Sequence, residues 1–321
     1  MKKVAIIIPT CREDSIKLFL EKWDFPDYCK LFIIEDNPKK KFNLSKGIYF
    51  HGSWQDFEGM RNNWIFSKKC GGGIRSFGFY KAYQEGFNYI ISLDDDCLPT
   101  EDCNGEKFVE EHLRQLEMNN GRWLWTTKDI RPRGVPYQNL GKENETLINM
   151  GFWKKNADFD AVTQLVHGSV EVPPNLLSPI PKGYYAPICG MNLSFKSEAT
   201  PLMFQPLMGE IYGVWRFDDI WCGIIAKKIC DHLDYLIRAG SPDVVHSRAS
   251  NVWSNLNKEA MGLEANEAFW EAIDDIGLKG DSINSCYTEI ANALKDREED
   301  YCKVLGTAME KWVKLFNELY E

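Results

Sequence analysis

Apolar positions follow two rhythms along this chain. Val4–Ile8 is a continuous, mostly β-branched run, the pattern of a strand buried on both faces. Pro9 breaks it. Ser15 is placed to cap a helix in which Ile16, Phe19, Leu20 and Trp23 recur at helical spacing. Leu31–Ile34 predicts a second strand, ending in Glu35-Asp36, so the chain opens as a β-α-β unit. Residues 37 to about 70 are polar and irregular, with one short strand expected at Ile48–Phe50. Gly71-Gly72-Gly73 punctuates the chain. Residues 74–87 predict a helix, and Tyr89–Leu93 a strand running straight into Asp94-Asp95-Asp96. Phe108–Met118 reads as helix and Trp123–Thr126 as strand. Residues 129–190, rich in Pro, Gly and Asn, predict long functional loops with short strands. Residues 219–233 and 258–276 predict helices. The charged, helical tail from about 284 to 320 is expected to pack as an add-on or to mediate assembly into a homo-oligomer. No repeat or low-complexity tract occurs.

Strands alternating with helices in the first half predict an α/β sheet, completed by a mixed second half. Ligands of open α/β sheets bind outside the carboxyl ends of the strands. The residues at those ends are Thr10 and Arg12, Glu35 and Asp36, then Asp94–Asp96. That placement points to a nucleotide-type ligand.

Composition narrows the class. Hydrophobic residues make up 44% and charged residues 26%, which suits a globular chain and not a disordered one. The 11 Trp suggest a stacking or sugar-facing surface besides the core. A formal net charge of −9 argues against a nucleic-acid coat, where a basic excess supplies the affinity. Ten scattered cysteines without a C-x-x-C pair, and only five histidines, argue against structural zinc and for reduced, buried thiols in a cytoplasmic protein. No run approaches the roughly 18–20 apolar residues of a membrane span.

Three adjacent carboxylates at a strand end require a counter-charge. A hard divalent cation, Mg²⁺ or Mn²⁺, takes oxygen ligands and shares them with a diphosphate. Alternation along the chain lets Asp94 and Asp96 face one way and Asp95 the other. Asp96, with Asp94, is the candidate metal ligand, and Asp95 the partner of a ribose hydroxyl or an arginine. His246, after a short apolar run, is a candidate third ligand. Asp218-Asp219 opens a helical run and could complement its dipole, hold sugar hydroxyls or act as a base. Arg12 and Arg75 are candidates for pairing with phosphates or carboxylates. The glycines depart from G-x-G-x-x-G, since Ser76 stands at the third glycine. No lysine follows Gly78, which excludes a P-loop, and no G-x-S-x-G occurs.

Several segments occur together in order: Ile8-Pro9-Thr10-Cys11-Arg12, Asp94-Asp95-Asp96-Cys97, Asp160-Ala161-Val162-Thr163-Gln164-Leu165-Val166, Pro187-Ile188-Cys189-Gly190-Met191-Asn192-Leu193, Phe217-Asp218-Asp219-Ile220-Trp221-Cys222-Gly223 with Ile229-Cys230-Asp231-His232-Leu233, and His246-Ser247-Arg248-Ala249-Ser250-Asn251. Over about residues 4–260 the chain resembles the reversibly glycosylated polypeptides, or UDP-arabinopyranose mutases, of glycosyltransferase family seventy-five. The resemblance implies a GT-A-like nucleotide-sugar fold with a mixed central sheet over residues 1–280 and a helical C-terminal extension over 281–321. It implies a UDP-sugar substrate and a divalent metal, Mn²⁺ favoured. Carried over to this chain, Asp94–Asp96 match the metal and nucleotide site; Thr10, Arg12 and Asp36, from the strand ends, and Arg75, from the helix start after the glycines, are the candidates around the nucleotide. His246 matches a histidine after the last core strand, and Asp218 and Asp219 the acidic pair near the sugar. The segment holding Gly190 and Asn192 matches one facing the sugar ring.

One departure stands out. Plant members carry an arginine, proposed as the glycosylated residue, where this chain has Gly141, with Lys142 one place away and Arg131 and Arg133 earlier. The reading expected is a flavin-free mutase. The alternatives are a transferase passing sugar to a carbohydrate or small-molecule acceptor, and a non-catalytic complex partner.

Overall fold

The computed structural model describes residues 2–44, 47–66, 72–120, 133–136, 141–155, 158–168, 178–247 and 251–317. The sequence-predicted strand at Trp123–Thr126 lies outside them. The described strands form one mixed sheet. They are β1 (Val4–Thr10), β2 (Cys29–Glu35), β3 (Ile48–Gly52), β4 (Tyr89–Leu93), β5 (Cys97–Leu98), β6 (Thr146–Lys155), β7 (Asn192–Lys196) and β8 (Leu236–His246), in the order β3-β2-β1-β4-β7-β6-β8-β5. All seven residues of β1 are buried, as its unbroken apolar run predicts, and it pairs in parallel with β2 and β4. β7 is antiparallel to both neighbours, and β8 is parallel to β6. So β1, β4, β6 and β8 point the same way and end on one rim, where β7 begins.

The described helices are α1 (Glu13–Lys22), α2 (Gln55–Glu58), α3 (Gly72–Gln84), α4 (Gly105–Glu117), α5 (Ala161–His167), α6 (Asp218–His232), α7 (Val252–Asp274), α8 (Ile283–Lys295) and α9 (Asp300–Asn317). α3 is buried along most of its length. Gly78 brings it onto the sheet: a Cβ there would stand 2.4 Å from Ile7 Cγ2. Its outer side meets the C-terminal tail, with Tyr83 and Phe316 edge to face at 4.9 Å between centroids. Trp312, fully buried, donates from Nε1 to the Pro201 carbonyl at 2.9 Å. The polar positions of the tail hid a stripe, Leu305, Met309, Trp312, Val313 and Phe316, that is buried in the core.

Three sequence expectations need correction. α1 starts at Glu13, with Arg12 in the cap position, so Ser15 lies inside the first turn and caps nothing. Glu13 and Asp14 suit that first turn by complementing the helix dipole. The loop-rich stretch 129–190 holds a ten-residue strand, β6, inside the sheet, and the helix α5. α7 begins at Val252 rather than 258, because the Asn251 side chain accepts from Ser254 N–H at 3.0 Å and caps it.

Candidate active site

The common rim of β1, β4, β6 and β8 gathers most of the chemistry. Directly after β4 the chain turns through Asp94–Asp96, with Cys97 N–H donating to the Asp94 carbonyl at 3.1 Å. Cys97 then pairs with His246 at the end of β8, and Ser247 N–H donates to the Asp96 carbonyl at 3.0 Å. This ladder sets His246 beside Asp96, with Nε2 at 3.8 Å from Oδ1.

The alternation of the triplet places Asp94 and Asp96 in the wall of a cavity and turns Asp95 inward, where it is 2% exposed. Asp95 accepts from Thr10 Oγ1 at 2.5 Å and from the Arg12 guanidinium, which also donates to Asp96 at 2.9 Å. Burial raises the Asp95 carboxyl, although Arg12 and Thr10 pull it down. Burial and neighbouring Asp94 raise Asp96, against Arg12 and His246. Burial opposes the Arg12 charge, but Asp95 and Asp96 outweigh it, so the guanidinium is held charged more firmly than usual.

Arg75, buried in the first turn of α3, ties this cluster to the acidic pair. It donates to Asp94, to Ser92 Oγ and, at 2.7 Å, to the Gly190 carbonyl. Gly190 N–H in turn donates to Asp219 Oδ2 at 2.9 Å, while Ile220 N–H donates to Asp219 Oδ1 at 2.9 Å. Asp218 lies against Gly72, whose missing side chain makes room for it. Desolvation pushes Asp218 up to about 6, against the nearby Arg75 and Arg216 charges. Desolvation, then the Asp218 and Asp158 charges, push Asp219 up to about 7. The pair stands where a carboxyl can hold or release a proton near neutrality.

These groups border one cavity of about 620 Å³, within the roughly 300–1,000 Å³ range of small-molecule sites. Arg12 and His246 gather around Asp96, Arg75 holds Asp94, and Asp218, Asp219, Asp158 and Gln205 complete this part of the lining. Cys189 donates from Sγ to Asp158 Oδ2 at 3.0 Å, and burial pushes its thiol up, so it is a poor nucleophile. The Asp160 motif is a helix cap: its carboxylate accepts from Thr163 N–H at 2.9 Å and sets α5 over the cavity. α7 packs beside α5 there, with Glu259 accepting from Arg216 Nε at 2.8 Å and from Ala161 N–H at 2.7 Å. A second depression, about 660 Å³ beside Lys2 and Glu117, lies away from this rim, and those two charges pair with each other at 2.5 Å.

Not every sequence-predicted residue reaches the cavity. Thr10, Asp95 and Gly190 stand behind its wall and hold Arg12, Arg75 and Asp219. Asp36 lies at the end of β2, accepting from Trp54 Nε1 at 2.8 Å. Asn192 is fully buried: Oδ1 meets His112 Nε2 at 2.9 Å, and Nδ2 donates to the Phe152 and Pro242 carbonyls at 2.8 Å each. Its motif position suggested the sugar, but its amide is spent inside the core. Gly141 is exposed with φ +75° and, like Lys142, does not border the cavity. Arg131 lies outside the described residues. Asp158 and Gln205, which do border it, carry no motif signal that sequence reasoning could use.

The donor set fits a divalent cation shared with a diphosphate. Adjacent donors about 2.1 Å from one octahedral cation lie about 3 Å apart, so Asp96 Oδ1 and His246 Nε2, at 3.8 Å, would close by about 1 Å to share one. Among the described residues no three His, Cys, Asp or Glu side chains form a complete cage. Mg²⁺-type sites commonly use one or two protein ligands plus phosphate oxygens and water.

The family model for the reversibly glycosylated polypeptide matches residues 1–321. The probable UDP-arabinopyranose mutase 4 of Arabidopsis thaliana is 34% identical over 337 residues, 98% of this chain and 90% of that protein. UDP-arabinopyranose mutase 2 of the same plant is 31% identical over 340 residues, 99% of this chain and 92% of that protein. Among solved structures, a glucosyl-3-phosphoglycerate synthase of Mycobacterium tuberculosis overlaps at TM-score 0.43 and 12% identity, covering 83% of this chain and 79% of that one. No described helix is long and apolar enough to cross a membrane.

Proposed function

The chain belongs to the reversibly glycosylated polypeptide family, and from that premise we propose that it is a UDP-sugar mutase with a GT-A-like fold, interconverting UDP-L-arabinopyranose and UDP-L-arabinofuranose without flavin. The observation that carries this reading is the joining, in one cavity, of the anion-holding group Arg12, Asp96 and His246 with the carboxyl pair Asp218 and Asp219.

Ring contraction breaks the bond from the anomeric carbon to the UDP oxygen. The 4-hydroxyl oxygen then bonds to that carbon and gives up its proton. The old bond to the ring oxygen opens, that oxygen takes up a proton, and UDP returns to the anomeric carbon. One proton is removed and one restored, so a single carboxyl can do both. Asp219, pushed up to about 7, suits that exchange. Asp218, whose ionised form is favoured by the nearby Arg75 and Arg216 charges, stabilises the positive sugar. Gly190 and Ile220 hold both Asp219 oxygens in place. Arg12 faces the diphosphate, and Arg75 fixes Asp94. A divalent cation, Mn²⁺ or Mg²⁺, held by Asp96 and His246 would neutralise charge on the departing UDP. The scattered cysteines favour a cytoplasmic setting.

Gly141 favours a second reading. With no side chain there to hold sugar, the same site could pass it to a carbohydrate or small-molecule acceptor. Incubation with a panel of UDP-sugars and Mn²⁺, followed by chromatography, separates the two. A new UDP-sugar isomer supports the mutase. Free UDP released only when an acceptor is added supports the transferase.

A further inference from the structure

Gln205 stands in the cavity wall with an unusual deficit. It is 1% exposed, yet neither Oε1 nor Nε2 has a hydrogen-bond partner among the described residues. Its position is nevertheless fixed. Its backbone N–H donates to Ser76 Oγ at 3.0 Å, and Ser76 Oγ donates to the Gly72 carbonyl at 3.3 Å. Gln205 is thereby anchored one residue from Arg75 and close to Gly72, the glycine against which Asp218 rests. Its buried neighbours Phe204, Leu207 and Met208 offer the amide no polar side-chain group.

A buried amide with both ends unpaired is unfavourable, and folded proteins keep few of them. Gln205 borders the cavity while both amide atoms are closed to water, so a turn of the side chain toward a bound molecule would supply what the fold does not. An amide presents an acceptor and a two-proton donor side by side. A phosphate, which only accepts, would leave the carbonyl unpaired. Neighbouring sugar hydroxyls each donate and accept, and match both ends.

We propose that Gln205 is a sugar-specificity residue whose amide takes ring hydroxyls of the UDP-sugar in the cavity that Asp218 and Asp219 also line. This rests on the UDP-sugar reading above. The test is calorimetric titration of wild type, Gln205→Leu and Gln205→Met with UDP and with UDP-L-arabinopyranose, in the same Mn²⁺ buffer, alongside thermal melting. The expected result is UDP affinity unchanged within about twofold, UDP-arabinopyranose affinity weakened about tenfold or more, and a melting temperature equal to or above wild type. The methionine variant gives the answer if the leucine variant does not fold. If wild type binds the UDP-sugar and both variants bind it equally well, the role of Gln205 is overturned and the UDP-sugar reading stands. Equal weakening for both ligands, or loss of folding in both variants, also overturns it. A wild type that binds UDP but not the UDP-sugar overturns both readings.

Discussion

Replacing Gly72 by alanine tests the acidic pair without touching it. The new Cβ would stand 1.9 Å from Asp218 Oδ2 and 2.8 Å from its Cγ. Non-bonded heavy atoms keep about 3.5 Å, so the carboxyl must retreat by roughly 1.5 Å. The obstructed atom is the tip of a short side chain that can rotate, at a cost of about 1 kcal/mol. Alanine at a helix start returns up to about 0.5–1 kcal/mol relative to glycine. These nearly cancel, so Gly72→Ala should melt within a few degrees of wild type. Turnover should fall about a hundredfold, the usual consequence of moving a reacting group by about 1 Å. UDP affinity should hold, since Arg12 and Asp96 pair with each other and neither is held by Asp218. Chromatographic initial rates, calorimetry and a melting curve read all three. A folded Gly72→Ala protein with wild-type turnover would refute the placement of Asp218 at the reacting sugar.

Asp219→Asn should lower kcat by about 10²–10⁴, leave UDP affinity intact, and remove the limb of the wild-type kcat/KM profile that rises near pH 7. The folded Asp218 and Asp219 carboxyls, raised from 3.8 to about 6 and 7, contribute stability that is present below pH 3.8 and lost as pH rises through those values. The double asparagine variant should therefore gain on wild type in melting temperature between pH 5 and 8, and a flat difference contradicts the raised carboxyls. UDP binding should weaken at least tenfold when chelator replaces Mn²⁺, and the effect should vanish in Asp96→Ala and in His246→Ala. Equal affinity with and without metal in wild type rules the cation site out. His112, fully buried between Asn192 and Asn149, has its imidazole lowered from 6.5 to about 4, chiefly by burial. That neutral imidazole favours the fold above pH 6.5 and loses its contribution as pH falls toward 4. His112→Phe strips the Asn192 Oδ1 and one Asn149 Nδ2 hydrogen of their partner and should cost about 2–4 kcal/mol in urea unfolding near neutrality, the deficit shrinking in acid. A deficit independent of pH would mean that the imidazole is not held neutral.

The strands were the most legible part of the fold. Tyr89–Leu93 is bounded as its apolar run implies, and β1 extends its predicted run by two residues, because strands buried on both faces write their burial directly into sequence. β6 was hidden in a stretch whose glycines, prolines and asparagines resemble loop. Only glycine fits at position 151 in its middle, because Asn192 and the Pro242 backbone press against it. The acidic triplet was legible because three carboxylates after a buried strand have few uses. Asn192 misled for a physical reason: a polar residue beside a cavity and one turned into the core look alike in sequence. Here His112, far along the chain, decides which it is. Gln205 was invisible for the converse reason, since its significance lies in partners it lacks.

Running the reaction from both sides separates isomerisation from transfer. Full-length protein with Mn²⁺ is given UDP-L-arabinopyranose in one tube and UDP-L-arabinofuranose in another, without acceptor, and the nucleotide sugars are resolved over time. Both tubes should converge on one ratio of the two isomers while total UDP-sugar stays constant. Unchanged starting isomers in both tubes, or free UDP accumulating in place of the second isomer, would contradict the mutase.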